Sequence, residues 1–226
     1  MDVTRLPSPN HDERLLPVSM IVLHYTGMPD AQSAIDRLGS PEAKVSAHYV
    51  IQEDGSILQM VDEDRRAWHA GKSYWRGITD VNSASVGIEI VNPGHEFGYR
   101  PFPDEQIAAL IPLVAEIKER HGIGRGNVVG HSDIAPSRKE DPGELFPWHA
   151  LARRRLALPS PSRDLMDPYW TDAGFLLALE RFGYDVTDSL KAVIAFQRRF
   201  RPEQIDGIVD GECRAKLLAL LLPRPQ

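Results

Sequence analysis

The sequence contains a single cysteine, Cys213, so no intramolecular disulfide can form and a metal site built from several thiolates is excluded. It has no uninterrupted apolar run of membrane-spanning length, which argues against a spanning helix. Basic residues number 26 against 32 acidic ones, a formal charge of −6. With no basic surplus, phosphate-driven binding of nucleic acid is not expected. The start, MDVTRLPSPNHDERLLPVS, lacks an apolar core followed by a small-residue cleavage site. No secretory signal is readable there, so a cytoplasmic location is expected, or a periplasmic one if the native N-terminus was trimmed. What is present is ordinary: 226 residues, 42% hydrophobic and 26% charged, enough for one sizeable domain plus a small one.

Chemistry concentrates in VVGHSDIAPSRKEDPG, residues 128–143, where a histidine, a lysine and an aspartate follow an apolar strand on a loop punctuated by Pro136 and Pro142. His131 and Asp141 are of the imidazole and carboxylate types that hold zinc, and a catalytic site needs three protein ligands. His24 ends the apolar run Val18–Leu23 at what reads as a strand terminus, a rigid platform facing a pocket, and is the third candidate. Taken alone it would read as a core histidine at a sheet edge; paired with His131 and Asp141 it reads as a ligand.

Residues up to Pro17 read as an irregular arm. A short helix is expected over Ala31–Leu38, closed by Gly39. SAHYVIQ and Ile57–Val61 flank Glu53-Asp54-Gly55-Ser56, a hairpin signal. His48 lies in the first of these strands and faces either the pocket or the core; it is counted here as a substrate contact. Asp62–Ser83 shows little periodicity but carries Trp68 and His69, expected in a pocket wall, with a plug over a small core as the alternative. SVGIEIVN reads as a central strand ending at Asn92, a further candidate contact. Glu89 is anomalous within it, because a carboxylate among valines and isoleucines is costly unless it is paired or faces a polar cavity. Its raised pKa would suit a general base or acid. The other reading is a solvent-facing position, but the apolar residues do not segregate to one face.

An amphipathic helix opens at Pro103-Asp104-Glu105 and ends at His121-Gly122, with Pro112 expected to kink it and His121 expected as a C-terminal helix cation. A last helix is expected over Pro147–Leu158. The composition then breaks at LPSPSR, which reads as an interdomain linker. Three helical patterns follow, Thr171–Phe182, Thr187–Phe200 and Gly211–Leu222, expected to form a small separate core near the lower size limit for independent folding. Cys213 reads as an inert thiol.

The motifs IVLHYTG, SAHYVIQEDG, RAWHAG, SVGIEIVN, VVGHSDIAPSRKEDPG and FPW together resemble the type 2 zinc N-acetylmuramoyl-L-alanine amidases, which share their fold with peptidoglycan recognition proteins. The resemblance spans roughly Val18–Leu158. LERFGYDV, AVIAFQRRF and DGIVDGECRAKLLAL resemble the small helical peptidoglycan-binding domain of cell-wall enzymes. The implied architecture is α/β: a central mixed β-sheet flanked by helices, followed by a small C-terminal three-helix domain. The implied organisation is an arm over 1–17, the catalytic domain over 18–158, a linker over 159–168 and the helical domain over 169–226.

By position, the resemblance places the family's zinc ligands on His24, His131 and Asp141, its acidic catalytic residue on Glu89 and its lysine on Lys139. Glu144 departs from the proline common in relatives. The implied reaction cleaves the amide between N-acetylmuramic acid and L-alanine, with Glu89 moving the proton and Lys139 stabilising the oxyanion. The substrate is peptidoglycan or its anhydro-muropeptide fragments, in turnover or recycling. A recognition protein that binds muropeptides without cutting them is the alternative. Relatives of that kind lose a ligand, whereas all three stand here.

Overall fold

The computed structural model describes residues 2–162 and 165–222. Eight strands are present among these: β1 Val3–Arg5, β2 His11–Glu13, β3 Met20–Tyr25, β4 Tyr49–Ile51, β5 Ile57–Gln59, β6 Arg65–Ala67, β7 Ser85–Ile90 and β8 Val128–Gly130. Six form a mixed sheet in the order β1-β5-β4-β7-β3-β8, parallel throughout except for the β4/β5 hairpin. The turn of that hairpin places Gly55 at φ +84°, where a Cβ would meet the Glu105 carbonyl at 2.8 Å, so glycine is required.

The arm is not irregular. β1 extends the sheet edge beside β5, and β2 pairs antiparallel with β6 in a separate ribbon. Three-residue strands show no readable period, and their partners lie far along the chain, so nothing local announces them. β6 and a short helix, α2 (Val81–Ala84), likewise occupy the stretch that reads as aperiodic. The expected helix after β3 is α1, Ala31–Gly39, with Asp30 capping Ser33 N.

Strand geometry sends alternate residues to opposite faces. Ile21, Leu23, Val86 and Ile88 pack against Ile107, Leu110, Val114 and Ile117 of a long helix, Asp104–His121. With α3 as Gly94–Phe97, that long helix is α4; it continues through Pro112, and its C-terminal His121 pairs with Glu63. Met20, Val22 and Val129 face the other way. They share one continuous cluster with Phe175, Leu179, Phe196 and Leu217.

Those last residues belong to three C-terminal helices. With α5 as His131–Ile134 and α6 as Trp148–Arg153, they are α7 Asp172–Phe182, α8 Ser189–Phe200 and α9 Gly211–Leu221. Their core is not closed on itself, because the sheet supplies one wall of it. The stretch expected as a linker is also held down: Ser160 Oγ donates to Phe200 O and Lys216 Nζ to Pro161 O. Arg163 of that stretch and the tail from 223 onward lie outside the described residues. Among the described residues, no helix is long and apolar enough to cross a membrane.

Candidate active site

His24 lies on β3 and Glu89 on β7 as register partners of a parallel pair, so both side chains leave the same sheet face at the carboxyl ends of the strands. That is the face whose opposite ends, at Met20 and Val22, lie under the C-terminal helices. His131 follows β8 directly as the first residue of α5. Asp141 returns from the loop beyond, anchored by Ser132 N donating to Asp141 O at 2.8 Å. His24 Nδ1, His131 Nδ1 and Asp141 Oδ2 then lie within 2.9–3.1 Å of one another, all three residues buried.

The donor directions around this cluster follow from its ends, because a backbone carbonyl can only accept. Ala70 O lies 3.0 Å from His131 Nε2, so that nitrogen carries a proton, and in the neutral ring that binds a metal His131 Nδ1 is bare. Val81 O takes the Ser85 hydroxyl at 2.6 Å. Ser85 Oγ therefore accepts from His69 Nε2 at 3.1 Å, which leaves His69 Nδ1 to accept from His24 Nε2 at 3.0 Å. His24 Nδ1 is then bare as well. With both rings neutral, two imidazole lone pairs and a carboxylate oxygen face one another, an arrangement that repels unless a proton or a metal cation occupies its centre.

Burial, reinforced by His131, pushes His24 down to about 4. Burial opposes ionisation of Asp141, yet His131 and His24 hold its carboxyl well below the usual carboxylate range. Neutral imidazoles and an ionised carboxylate are what a divalent metal takes, and the outer nitrogens are fixed by the hydrogen bonds such ligands need. The residues fit a zinc-type ion.

Beside the cluster, burial and then the Asp141 charge raise the Glu89 carboxyl well above its ordinary range, with Lys139 opposing. Among the described residues Glu89 Oε2 is buried without a hydrogen-bond partner. Glu89 and Lys139 line a cavity of about 420 Å³ together with His24, His131, Asp141 and Trp68. A proton acceptor, a cation and a three-donor cluster therefore share one solvent-accessible space.

The family model described as N-acetylmuramoyl-L-alanine amidase matches residues 14–144. The chain belongs to this family. The N-acetylmuramoyl-L-alanine amidase AmiD of Escherichia coli (strain K12) is 39% identical over 231 residues, covering 90% of this chain and 82% of that one. The structure of the E. coli AmiD in complex with the substrate anhydro-N-acetylmuramic acid-L-Ala-D-gamma-Glu-L-Lys superposes with a TM-score of 0.81 at 37% identity, covering 90% of this chain and 88% of that one. The 1,6-anhydro-N-acetylmuramyl-L-alanine amidase AmpD of Haemophilus influenzae is 34% identical over 167 residues, 65% of this chain and 89% of that one.

Within this amidase fold, not every residue expected at the substrate reaches it. His48 and Asn92 do not line the cavity. His48 is fully buried behind β7: its Nδ1 accepts from Gly87 N at 2.9 Å, its Nε2 lies 3.1 Å from Arg65 O, and Arg14 Nη2 approaches to 2.7 Å. Asn92 is spent on the backbone, donating to Arg100 O at 2.7 Å and accepting from Gly94 N at 3.1 Å. Trp68 does line the cavity, its indole held by Asp12 of the arm at 2.7 Å. His69 lines it too, but its two ring nitrogens are committed to His24 and Ser85.

Sequence reasoning passed over the residues that organise this layer. Gly87 is one: a Cβ there would lie 2.4 Å from His69 Cγ, so only glycine lets the ring lie across β7 and reach His24. Its position two residues before Glu89 places it on the same sheet face, which is the signal that could have found it. Ser85 and Arg138 are others. Arg138 Nη2 donates to Ala70 O at 3.1 Å, the carbonyl that holds His131.

Proposed function

We propose that this amidase hydrolyses the bond between N-acetylmuramic acid and L-alanine in a zinc-dependent reaction, with soluble anhydro-muropeptides as its substrate class. The observation that carries the reading is the inward-facing set His24 Nδ1, His131 Nδ1 and Asp141 Oδ2 beside the unpartnered Glu89 carboxyl. The anhydro-sugar ligand in the AmiD complex and the AmpD name support the substrate class. Cytoplasmic recycling of wall fragments belongs to the same proposal.

In this reading His24, His131 and Asp141 hold the ion. When bound, it supplies Lewis acidity at the scissile carbonyl and lowers the pKa of water. Glu89 accepts the proton of the attacking water, then delivers it to the departing alanine amine. A carboxyl raised by burial holds a proton more readily than a free one, as both transfers require. Lys139 presents a positive charge to the oxyanion that develops on the carbonyl oxygen. Trp68 offers a ring face in the cavity wall for the sugar or the peptide. The helices of residues 169–226 are assigned to binding peptidoglycan, keeping larger fragments near the site.

Digestion of anhydro-muropeptides followed by mass analysis tests the reaction. The expected products are the free intact stem peptide and the anhydro-sugar, lost on chelation and restored by zinc. Cleavage between amino acids would overturn the reading in favour of a peptidase, and binding without cleavage in favour of a recognition protein. Activity confined to intact sacculi would remove the recycling role.

A further inference from the structure

The two histidines of the cluster share one support. His24 Nε2 donates to His69 Nδ1 and His131 Nε2 donates to Ala70 O, so the two acceptors sit on consecutive residues. The backbone N–H groups of the same two residues end on a single atom, Asn82 Oδ1, at 3.1 Å from His69 N and 2.8 Å from Ala70 N. Because both partners are donors, the amide atom facing them must be the oxygen. Asn82 is itself fixed within α2, whose first turn Asp80 caps at Ser83 N, and Arg14 Nη1 donates to Asn82 O at 3.2 Å. It is 8% exposed, and among the described residues no other side chain accepts from either N–H.

We propose that Asn82 is a positioning residue for the metal centre: its side-chain oxygen sets the backbone of His69-Ala70 and through it the orientation of both His24 and His131. The inference rests on the metal reading above and assigns it a residue outside the cavity. Without that oxygen, one buried and one part-buried N–H group lose their acceptor, and a short segment relieves this by turning. Turning moves His69 Nδ1 and Ala70 O together, so both imidazoles lose the bond that keeps Nδ1 bare and inward. Loss of an outer partner of one metal ligand costs about 10–100-fold in affinity; acting on two ligands at once places Asn82 toward the upper end of that range.

Zinc affinity measured by competition with a chromophoric chelator tests this, alongside the thermal midpoint of the metal-free protein. Asn82→Ala is expected to weaken zinc binding about 10–100-fold, while Asn82→Asp, whose carboxylate accepts the same two N–H groups, stays close to wild type. Asn127→Ala serves as control: Asn127 anchors Ser19 O elsewhere, so it is expected to lower the midpoint without moving zinc affinity. Should N82A fail to fold, N82S carries the test, because its shorter hydroxyl cannot span both donors and its affinity must fall below that of N82D. Wild-type affinity in the folded N82A or N82S protein, or an equal loss in N127A, would overturn the inference alone. A wild-type chain that takes up no zinc would sink the metal reading first and this inference with it.

Discussion

His24 and Glu89 are register partners on neighbouring parallel strands, so one face of the sheet carries a metal-type ligand and a proton acceptor side by side. The pairing leaves Glu89 half-buried beside Asp141, with Lys139 as the opposing charge. Its energetic consequence is a carboxyl that resists ionisation, and in the proposed reaction it would stand as the base beside the metal ligands.

Glu89→Gln is therefore expected to lower kcat by about 10²–10⁴-fold, the range for losing a general acid–base group, with zinc content unchanged. The metal-free protein gives a second reading. A raised folded pKa means the folded chain keeps a proton that the unfolded chain releases at about 4.3, so stability at this position is full below that pH and declines as pH rises. Glutamine cannot ionise, so the variant should gain on wild type as pH increases. Melting curves of both metal-free proteins across pH 5–8 check this, and a constant difference would count against the raised pKa.

Gly87→Ala should disturb the centre without touching a ligand. The added Cβ would lie 2.4 Å from His69 Cγ and 2.6 Å from its Nδ1, too close for the ring to stay. Displacing His69 removes the partner of His24 Nε2, so zinc affinity is expected to fall about 10-fold or more. Overpacking should cost a further ~1–3 kcal/mol of stability. Chelator competition and urea unfolding measure the two effects, and unchanged zinc affinity would show that His69 does not orient His24.

Tyr184→Phe probes the seam between the sheet and the C-terminal helices. The Tyr184 hydroxyl donates to Asp133 Oδ1 at 2.5 Å, and Asp133 Oδ2 accepts from Gly130 N at 2.7 Å, one residue before His131. All of this is buried, so removing the hydroxyl leaves a carboxylate oxygen short of a donor and should cost about 1–3 kcal/mol. Because the helices and the sheet share one core, the loss should shift a single unfolding transition. Two separate transitions, with only one displaced, would argue that the helices fold on their own.

The long periodic elements were legible in the sequence. The helix Asp104–His121 repeats its apolar residues at helical spacing over five turns, and the helices Asp172–Phe182 and Ser189–Phe200 fall within one or two residues of their expected bounds. The hairpin around Gly55 announced itself through turn chemistry. Strands of three residues, Val3–Arg5, His11–Glu13 and Arg65–Ala67, did not, because they exist only through partners distant in the chain. The same reason explains His48. It sits immediately before a strand and reads equally well as pocket or core, and Arg14 and Gly87 N decide in favour of the core.

By itself the sequence determined the chemical inventory: two histidines and an aspartate of metal-ligand type, a glutamate out of place among apolar neighbours, a lysine nearby, and the family these motifs resemble. Those are statements about residue type and local order, which a linear chain carries in full. Only the tertiary structure decided how the inventory is aimed. The tautomers of His24 and His131 depend on His69, Ser85, Ala70 and Val81, the support of both on Asn82, and the room for His69 on the missing side chain of Gly87. A hydrogen bond's direction is set by what its partner can accept, and those partners meet only when β3, β7, β8 and the loop before α2 come together in space.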